Sequence, residues 1–155
     1  MQYKKADLFK RFLAALIDGI IASLLIYIPI LGAIVSTVYL LTKDAIAFEI
    51  TKNTDFKNRS IGKKIMGLEV VSLEGKDIDW TISVKRNLPI AIGSAFGIVP
   101  ILGWIIGSIV GLVLMVVEIV LAVTDNDGRR LGDRWANTQV AESQDLKEKD
   151  DVIDI

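Results

Sequence analysis

Two stretches decide the fold: FLAALIDGIIASLLIYIPILGAIVSTVYLLT at residues 12–42, and LPIAIGSAFGIVPILGWIIGSIVGLVLMVVEIVLAVT at residues 88–124. The first contains a single charged residue, Asp18, and the second a single one, Glu118. Their lengths of 31 and 37 residues exceed one crossing, because a bilayer core of ~30 Å takes ~20 helical residues. Each is broken near its middle by a similar motif, Ile28-Pro29-Ile30-Leu31-Gly32 and Val99-Pro100-Ile101-Leu102-Gly103. Proline removes a backbone donor and clashes with the preceding turn, and glycine tolerates a tight reversal. The reading is an all-α integral membrane protein with four transmembrane helices arranged as two hairpins. The helices are expected near 11–28, 31–50, 82–99 and 103–124. The recurring turn raises the possibility of an internal repeat, with coincidence of turn chemistry as the alternative.

Composition agrees. Of 155 residues, 52% are hydrophobic and 24% charged, and the mean hydropathy is +0.47, more apolar than a soluble domain of this size. The absence of Cys excludes disulfides, thiolate metal sites and cysteine nucleophiles, and the absence of His removes the commonest general base and metal ligand. No nucleophile, base or metal constellation points to an enzyme, and no cofactor is implied. All 18 Lys and Arg lie before the first helix, between residues 43 and 86, or after the fourth helix. The positive-inside rule then places both termini and the central loop in the cytoplasm. Topology explains these basic residues without nucleic acid.

The central loop, 51–81, is polar but patterned. Residues 68–73 read as a strand, 74–77 as its turn and 78–81 as the return, with 138–141 as a possible edge: a small cytoplasmic β element. Ser60-Ile61-Gly62-Lys63-Lys64-Ile65-Met66 fits either a segment lying on the membrane, its lysines toward anionic lipid and Ile61, Ile65 and Met66 facing inward, or a plain interfacial connector. From Glu142 six acidic residues face Lys147 and Lys149 with no packable pattern, so 142–155 reads as an unstructured acidic tail after a domain at 1–141. Asp125-Asn126-Asp127-Gly128 lacks the spacing and closing Glu of a calcium loop and reads as a turn.

Counting 1.5 Å per residue from the turns puts Asp18 ~16 Å below Pro29, and Lys43 and Asp44 ~16–18 Å below Gly32. Arg86 and Asn87 fall ~20 Å below Pro100, and Glu118 ~22 Å below Gly103. All four helices thus bring ionisable groups to one layer. One reading is structural: Lys43 and Arg86 neutralise Asp18, Asp44 and Glu118 and fix helix register. The other is a cation or proton site, since three acids against two bases leave a place for which a proton or Na⁺ competes. Arg11 and Asp18, seven residues apart, share a face. Gly103, Gly107 and Gly111, with Gly93 and Gly97, allow close helix approach within or between protomers.

Arg11-Phe-Leu-Ala-Ala-Leu-Ile-Asp18, Lys43-Asp44-Ala45, the Ser60 to Val71 segment with Gly62 and Lys63, Lys85-Arg86-Asn87 and Leu131-Gly132-Asp133-Arg-Trp-Ala136-Asn-Thr138 occur in order over about 8–141. This set resembles the RDD family of small multi-pass membrane proteins, mostly bacterial, which implies a place in a bacterial inner membrane. The resemblance implies that Arg11 and Asp18 are the family's Arg and first Asp, with Asp44 or Asp133 as the second. It also implies monovalent cation/proton exchange by a homo-oligomer, with Na⁺, Li⁺ or K⁺ moving against H⁺. The expected exchanging carboxylates are Asp18 and Asp44, with Arg11 positioning and Lys43 and Arg86 tuning them. The alternative is a non-catalytic membrane scaffold or accessory subunit binding lipid or a partner.

Overall fold

The computed structural model describes residues 3–28, 31–96, 99, 101–146 and 148. Its long helices are α1 (Leu8–Leu25), α2 (Gly32–Thr51), α4 (Trp80–Ala95) and α5 (Leu102–Thr124), each within a few residues of the sequence expectation. Between them stand the short helix α3 (Ile61–Ile65) and strand β1 (Leu68–Ser72); after α5 come α6 (Leu131–Trp135) and β2 (Thr138–Glu142). Helices α1 and α4 start alike. Asp7 Oδ1 accepts from the Lys10 N–H and Asp79 Oδ1 from the Ile82 N–H, both at 2.8 Å, which satisfies donors that a helix start leaves orphaned.

The Asp79 cap corrects the expected return strand at 78–81: Trp80 opens α4 instead. The partner of β1 is the distant β2, antiparallel, with Val70 opposite Val140 and Leu68 opposite Glu142. Leu68 and Val140 pack with Ala6 and Ala14 beneath the pair, so the sheet is held by the start of α1 rather than by a local hairpin. The tail reading is corrected at its start, where Glu142 ends β2 and residues 143–146 are helical. Residues 147 and 149–155 lie outside the described part.

The chain has an order that sequence pattern only hinted at. Hairpin, short helix and strand occur once as α1–α2–α3–β1 and again as α4–α5–α6–β2. In each copy the second residue of the short helix is a glycine pressed on a long helix: Gly62 on the Ala14 carbonyl of α1, and Gly132 on the Arg86 carbonyl of α4. A Cβ at either position would collide with that carbonyl.

The long helices are packed inside out. Their buried residues are Ala14, Asp18 and Ala22 in α1, and Gly32, Ser36, Thr37, Tyr39, Thr42, Lys43, Asp44 and Ala45 in α2. In α4 and α5 they are Ser83, Arg86, Asn87, Pro89, Ala91, Gly103, Gly107, Glu118 and Ala122. No Leu, Ile, Val, Phe or Met is buried among the described residues of these four helices. Leu24, Trp104, Ile109, Leu112 and Val113 are instead each more than half exposed. A continuous apolar surface of this kind belongs against lipid or another protein. Helix α5 is the one described helix both long and apolar enough to cross a membrane.

The glycines act within the chain. A Cβ on Gly93 would stand 2.6 Å from Gly111 Cα, and one on Gly107 would stand 2.6 Å from the Gly93 carbonyl oxygen, while Gly103 sits under the Phe96 carbonyl. Gly97 lies outside the described residues. Replacing Gly107 with Val should therefore separate α4 from α5 and cost about 1–3 kcal/mol, read as a lower midpoint in thermal unfolding in detergent; Gly19→Ala, with open space around it, should leave the midpoint unchanged.

Candidate functional site

The layer predicted from helix depth exists, and it is larger than the sequence suggested. Asp18, Lys43, Asp44, Arg86, Asn87 and Glu118 are all buried, and Lys63 and Asp133 are buried with them. The short helices deliver these additions. Because Gly62 and Gly132 let α3 and α6 touch a long helix, the residue after each glycine points into the layer.

Asp18 holds the start of α3. Its Oδ2 accepts from Ser60 Oγ at 2.7 Å and lies 3.1 Å from Lys43 Nζ; its Oδ1 accepts from the Gly62 N–H at 2.9 Å and from Tyr39 at 3.4 Å. Arg11 and Arg86 are not its partners, although Arg11 shares its helix face. Arg11 turns to Asp133 Oδ2 at 3.3 Å and to the Gly128 carbonyl.

Asp44 is the second centre. Lys63 Nζ donates to its Oδ1, Asn87 Nδ2 donates to its Oδ2 at 2.9 Å, and Arg86 Nη1 lies 3.4 Å from that oxygen. Lys63 thus faces inward, correcting the expectation of an interfacial helix with lysines toward lipid; Ile65 is the exposed side chain and Ile61 is partly so. The reason is charge: a buried carboxylate supplies Lys63 with a partner, while Ile65 loses little facing an apolar phase. Lys64 pairs with Asp55 at 3.2 Å and lies over the Phe56 ring at 3.9 Å.

Asp133 is the third centre. Arg86 Nη2 donates to it at 2.7 Å, Arg130 Nε lies at 3.3 Å and Arg11 at 3.3 Å. Glu118 joins at the edge, accepting from the Gly132 N–H at 3.2 Å with Arg130 at 3.5 Å. Sequence reasoning missed Arg130 altogether, and Lys63 and Asp133 entered only through family resemblance. The available signal was the repeated pattern Ile-Gly-Lys-Lys at 61–64 and Leu-Gly-Asp-Arg at 131–134.

The charge balance of the layer changes accordingly. Asp18, Asp44, Glu118 and Asp133 face Arg11, Lys43, Lys63, Arg86 and Arg130, so fully ionised it carries one positive charge rather than one negative. Burial pushes the Asp133 carboxyl up, but Arg130, Arg86 and Arg11 outweigh it and hold it well below the usual carboxylate range. Burial pulls the Lys63 ammonium down to about 8, against the opposing pull of Asp44. Four buried polar atoms have no hydrogen-bond partner among the described residues: Arg86 Nε and Nη1, Asn87 Oδ1 and Glu118 Oε2. Asn87 Oδ1 is an oxygen acceptor on the same amide that grips Asp44. No cluster of three or more metal-ligating side chains occurs among the described residues.

The profile of the RDD family matches residues 5–137 of this sequence, a span that contains both hairpins, both short helices and every residue of the layer. The chain belongs to the RDD family. This is a family of small membrane proteins, in keeping with the exposed apolar helices. No curated protein and no solved structure matches the chain.

Removing one partner from a buried charge cluster costs far more than removing an exposed one. Asp133→Ala, which leaves Arg86, Arg11 and Arg130 facing one another, should lower stability by ~3–5 kcal/mol. Asp55→Ala, which cuts an exposed pair, should cost at most ~1 kcal/mol; parallel thermal melts check both. Because the folded Asp133 carboxyl is depressed, its share of stability is complete above the ordinary 3.8 and is lost as pH falls below it. Acid unfolding should therefore be steeper in the parent protein than in Asp133→Asn.

Proposed function

We propose that the protein is a four-span membrane protein, with both termini and the 51–81 loop cytoplasmic, that exchanges a proton for a monovalent cation at the Lys63–Asp44 pair. One observation carries this reading: Lys63 is the surplus base. Asp18 has Lys43, Asp44 has Arg86, Asp133 has Arg11 and Glu118 has Arg130, all within 3.5 Å, so Lys63 can lose its proton without leaving any carboxylate alone.

The exchange balances in charge. A cation reaching Asp44 Oδ1 takes the place of the Lys63 ammonium, the proton leaves from Lys63 Nζ, and the neutral amine remains. The layer keeps its single positive charge in both states, which matters because a buried net charge is costly to change. Asp44 Oδ1 and the unpartnered Asn87 Oδ1 give Na⁺, Li⁺ or K⁺ two oxygen ligands. Asp18 anchors α3 and so keeps Lys63 in reach, a positioning part rather than an exchanging one. The glycine rows are consumed inside the protomer, so the homo-oligomer that goes with this reading uses the exposed apolar faces.

The test is proton flux in proteoliposomes under imposed Na⁺, Li⁺ or K⁺ gradients. Cation and proton compete, so the apparent KM for the cation should fall about tenfold per pH unit below the Lys63 value and level off above about 8. Lys63→Arg keeps the positive charge but holds its proton at all working pH; it should insert and fold, and its coupled flux should vanish. Coupled flux surviving in Lys63→Arg would sink the reading.

The second reading, a scaffold or accessory subunit, is favoured by the pairing of every carboxylate in the layer. It expects no cation-driven flux from well-inserted protein and a stoichiometric partner in gentle detergent pull-downs.

A further inference from the structure

At the end of the helices opposite the sheet, a cleft of about 430 Å³ opens among α2, α4 and α5, lined by Ser36, Ser94 and Ser108 with Gly93, Gly107 and Trp104. A serine hydroxyl carries one proton and two lone pairs. Ser36 Oγ gives its proton to the Ala22 carbonyl at 2.8 Å, Ser94 Oγ to Ala91 at 2.8 Å and Ser108 Oγ to Trp104 at 2.7 Å. With those protons committed, the serines offer the cleft lone pairs alone. Thr37 behaves alike: its Oγ1 donates to the Ala33 carbonyl at 2.8 Å and lies 3.3 Å from Ser94 Oγ. Either hydroxyl can donate across that gap, and whichever does, both oxygens keep a lone pair to offer.

These serines give an anion no donor, whereas an oxygen-seeking cation finds several acceptors close together. Along α2 the cleft stands about two turns from the charged layer. Ser36 and Lys43 are seven residues apart on α2, hence on one face and ~10 Å apart along the axis. Ala22, whose carbonyl takes the Ser36 proton, stands one turn from Asp18 on α1. We infer that the cleft is a hydrated vestibule in which the Ser36, Ser94 and Ser108 oxygens receive a monovalent cation on the side of the membrane opposite the sheet. The side rests on the four-span reading above; the ligand chemistry does not.

The chain has no cysteine, so an introduced thiol is the only one present. Ser94→Cys is compared with Ile109→Cys, on the exposed apolar face of α5, in proteoliposomes treated with water-soluble thiosulfonates, one cationic and one anionic. Ser108→Cys, also in the cleft lining, replaces Ser94→Cys if the latter does not insert. A thiol in water ionises and reacts, and one in lipid stays protonated, so position 94 should react at least about tenfold faster than position 109 with the cationic reagent. It should react more slowly with the anionic one, and Li⁺ or Na⁺ should protect it. Reactivity at position 94 no higher than at 109, or indifferent to reagent charge and to cations, would overturn the vestibule and mark the cleft as filled by lipid chains. Flux through a chain whose position 94 is inert removes the vestibule alone. A reactive, cation-protected position 94 without coupled flux upholds the vestibule and removes exchange at Asp44.

Discussion

Arg86 carries a full positive charge with no exposed surface, and the helices meet in the only arrangement that makes this tolerable. A guanidinium taken from water loses several kcal/mol of solvation unless carboxylates stand within contact. Asp133 at 2.7 Å and Asp44 at 3.4 Å meet that need, and they come from α6 and α2. One side chain on α4 therefore fixes the place of an element near each end of the chain. In water such a choice would fall to Leu and Ile packing. Here the buried faces of the long helices hold only small, polar and charged residues, and on the four-span reading burying apolar area gives no advantage between helices already in an apolar phase. Charge and close backbone approach decide the register instead.

The doubled plan follows from the same constraint. Each short helix is five residues long and has no core of its own, so it survives only by docking. Glycine at its second position allows contact with a long helix, and the following charge repays the approach. In the first copy that charge is Lys63, meeting Asp44 on α2; in the second it is Asp133, meeting Arg86 on α4 and Arg11 on α1. The copies differ in sign at this position, so together they are complementary where identical copies would have repelled. The strands close the arrangement, with Val70 opposite Val140 at the same chain offset that separates Gly62 from Gly132. This symmetry gives the recurring proline turn a structural context.

The long helices were legible because they depend on local facts, runs of apolar residues and the dihedral limits of proline and glycine; Pro29 and Pro100 themselves lie outside the described residues. The ionisable layer was legible as depth, since helical rise is constant. Its partners were legible only in part: Lys43 and Arg86 were expected to neutralise its acids, and they do stand against Asp18 and Asp44, but the individual pairings were not. Pairing Asp18 with Lys43 rather than Arg11 depends on rotation and on α3 filling the space between, and no periodicity reports on that. The expected return strand failed because a single Asp79 carboxylate capping α4 outweighed a weak alternation, and because the true partner of β1 lay near the far end of the domain. Lys63 looked like a surface lysine since its spacing on a five-residue helix cannot tell which face is buried; only the contact at Gly62 decides it.

The remaining question is why a small bundle keeps a network of nine charges, seven of them buried and Arg11 and Arg130 partly so, when a few would fix its register. Exchanging a buried ion pair for apolar groups of similar volume is often neutral or stabilising, so stability alone gives little reason for so many. Four acids and four bases account for each other and hold α1, α2, α4, α5 and α6 in place. The ninth charge stands on a separate short element, attached through Asp18 and the start of α3, opposite a carboxylate that Arg86 already balances. An element that only braced the fold would gain more from an apolar side chain there, since burial opposes the lysine's own charge. On the exchange reading, a lysine held in that position makes the network's own charge adjustable by one proton while its other pairs stay intact, and the Asp44 oxygen that the ammonium vacates is a place for a cation of the same charge.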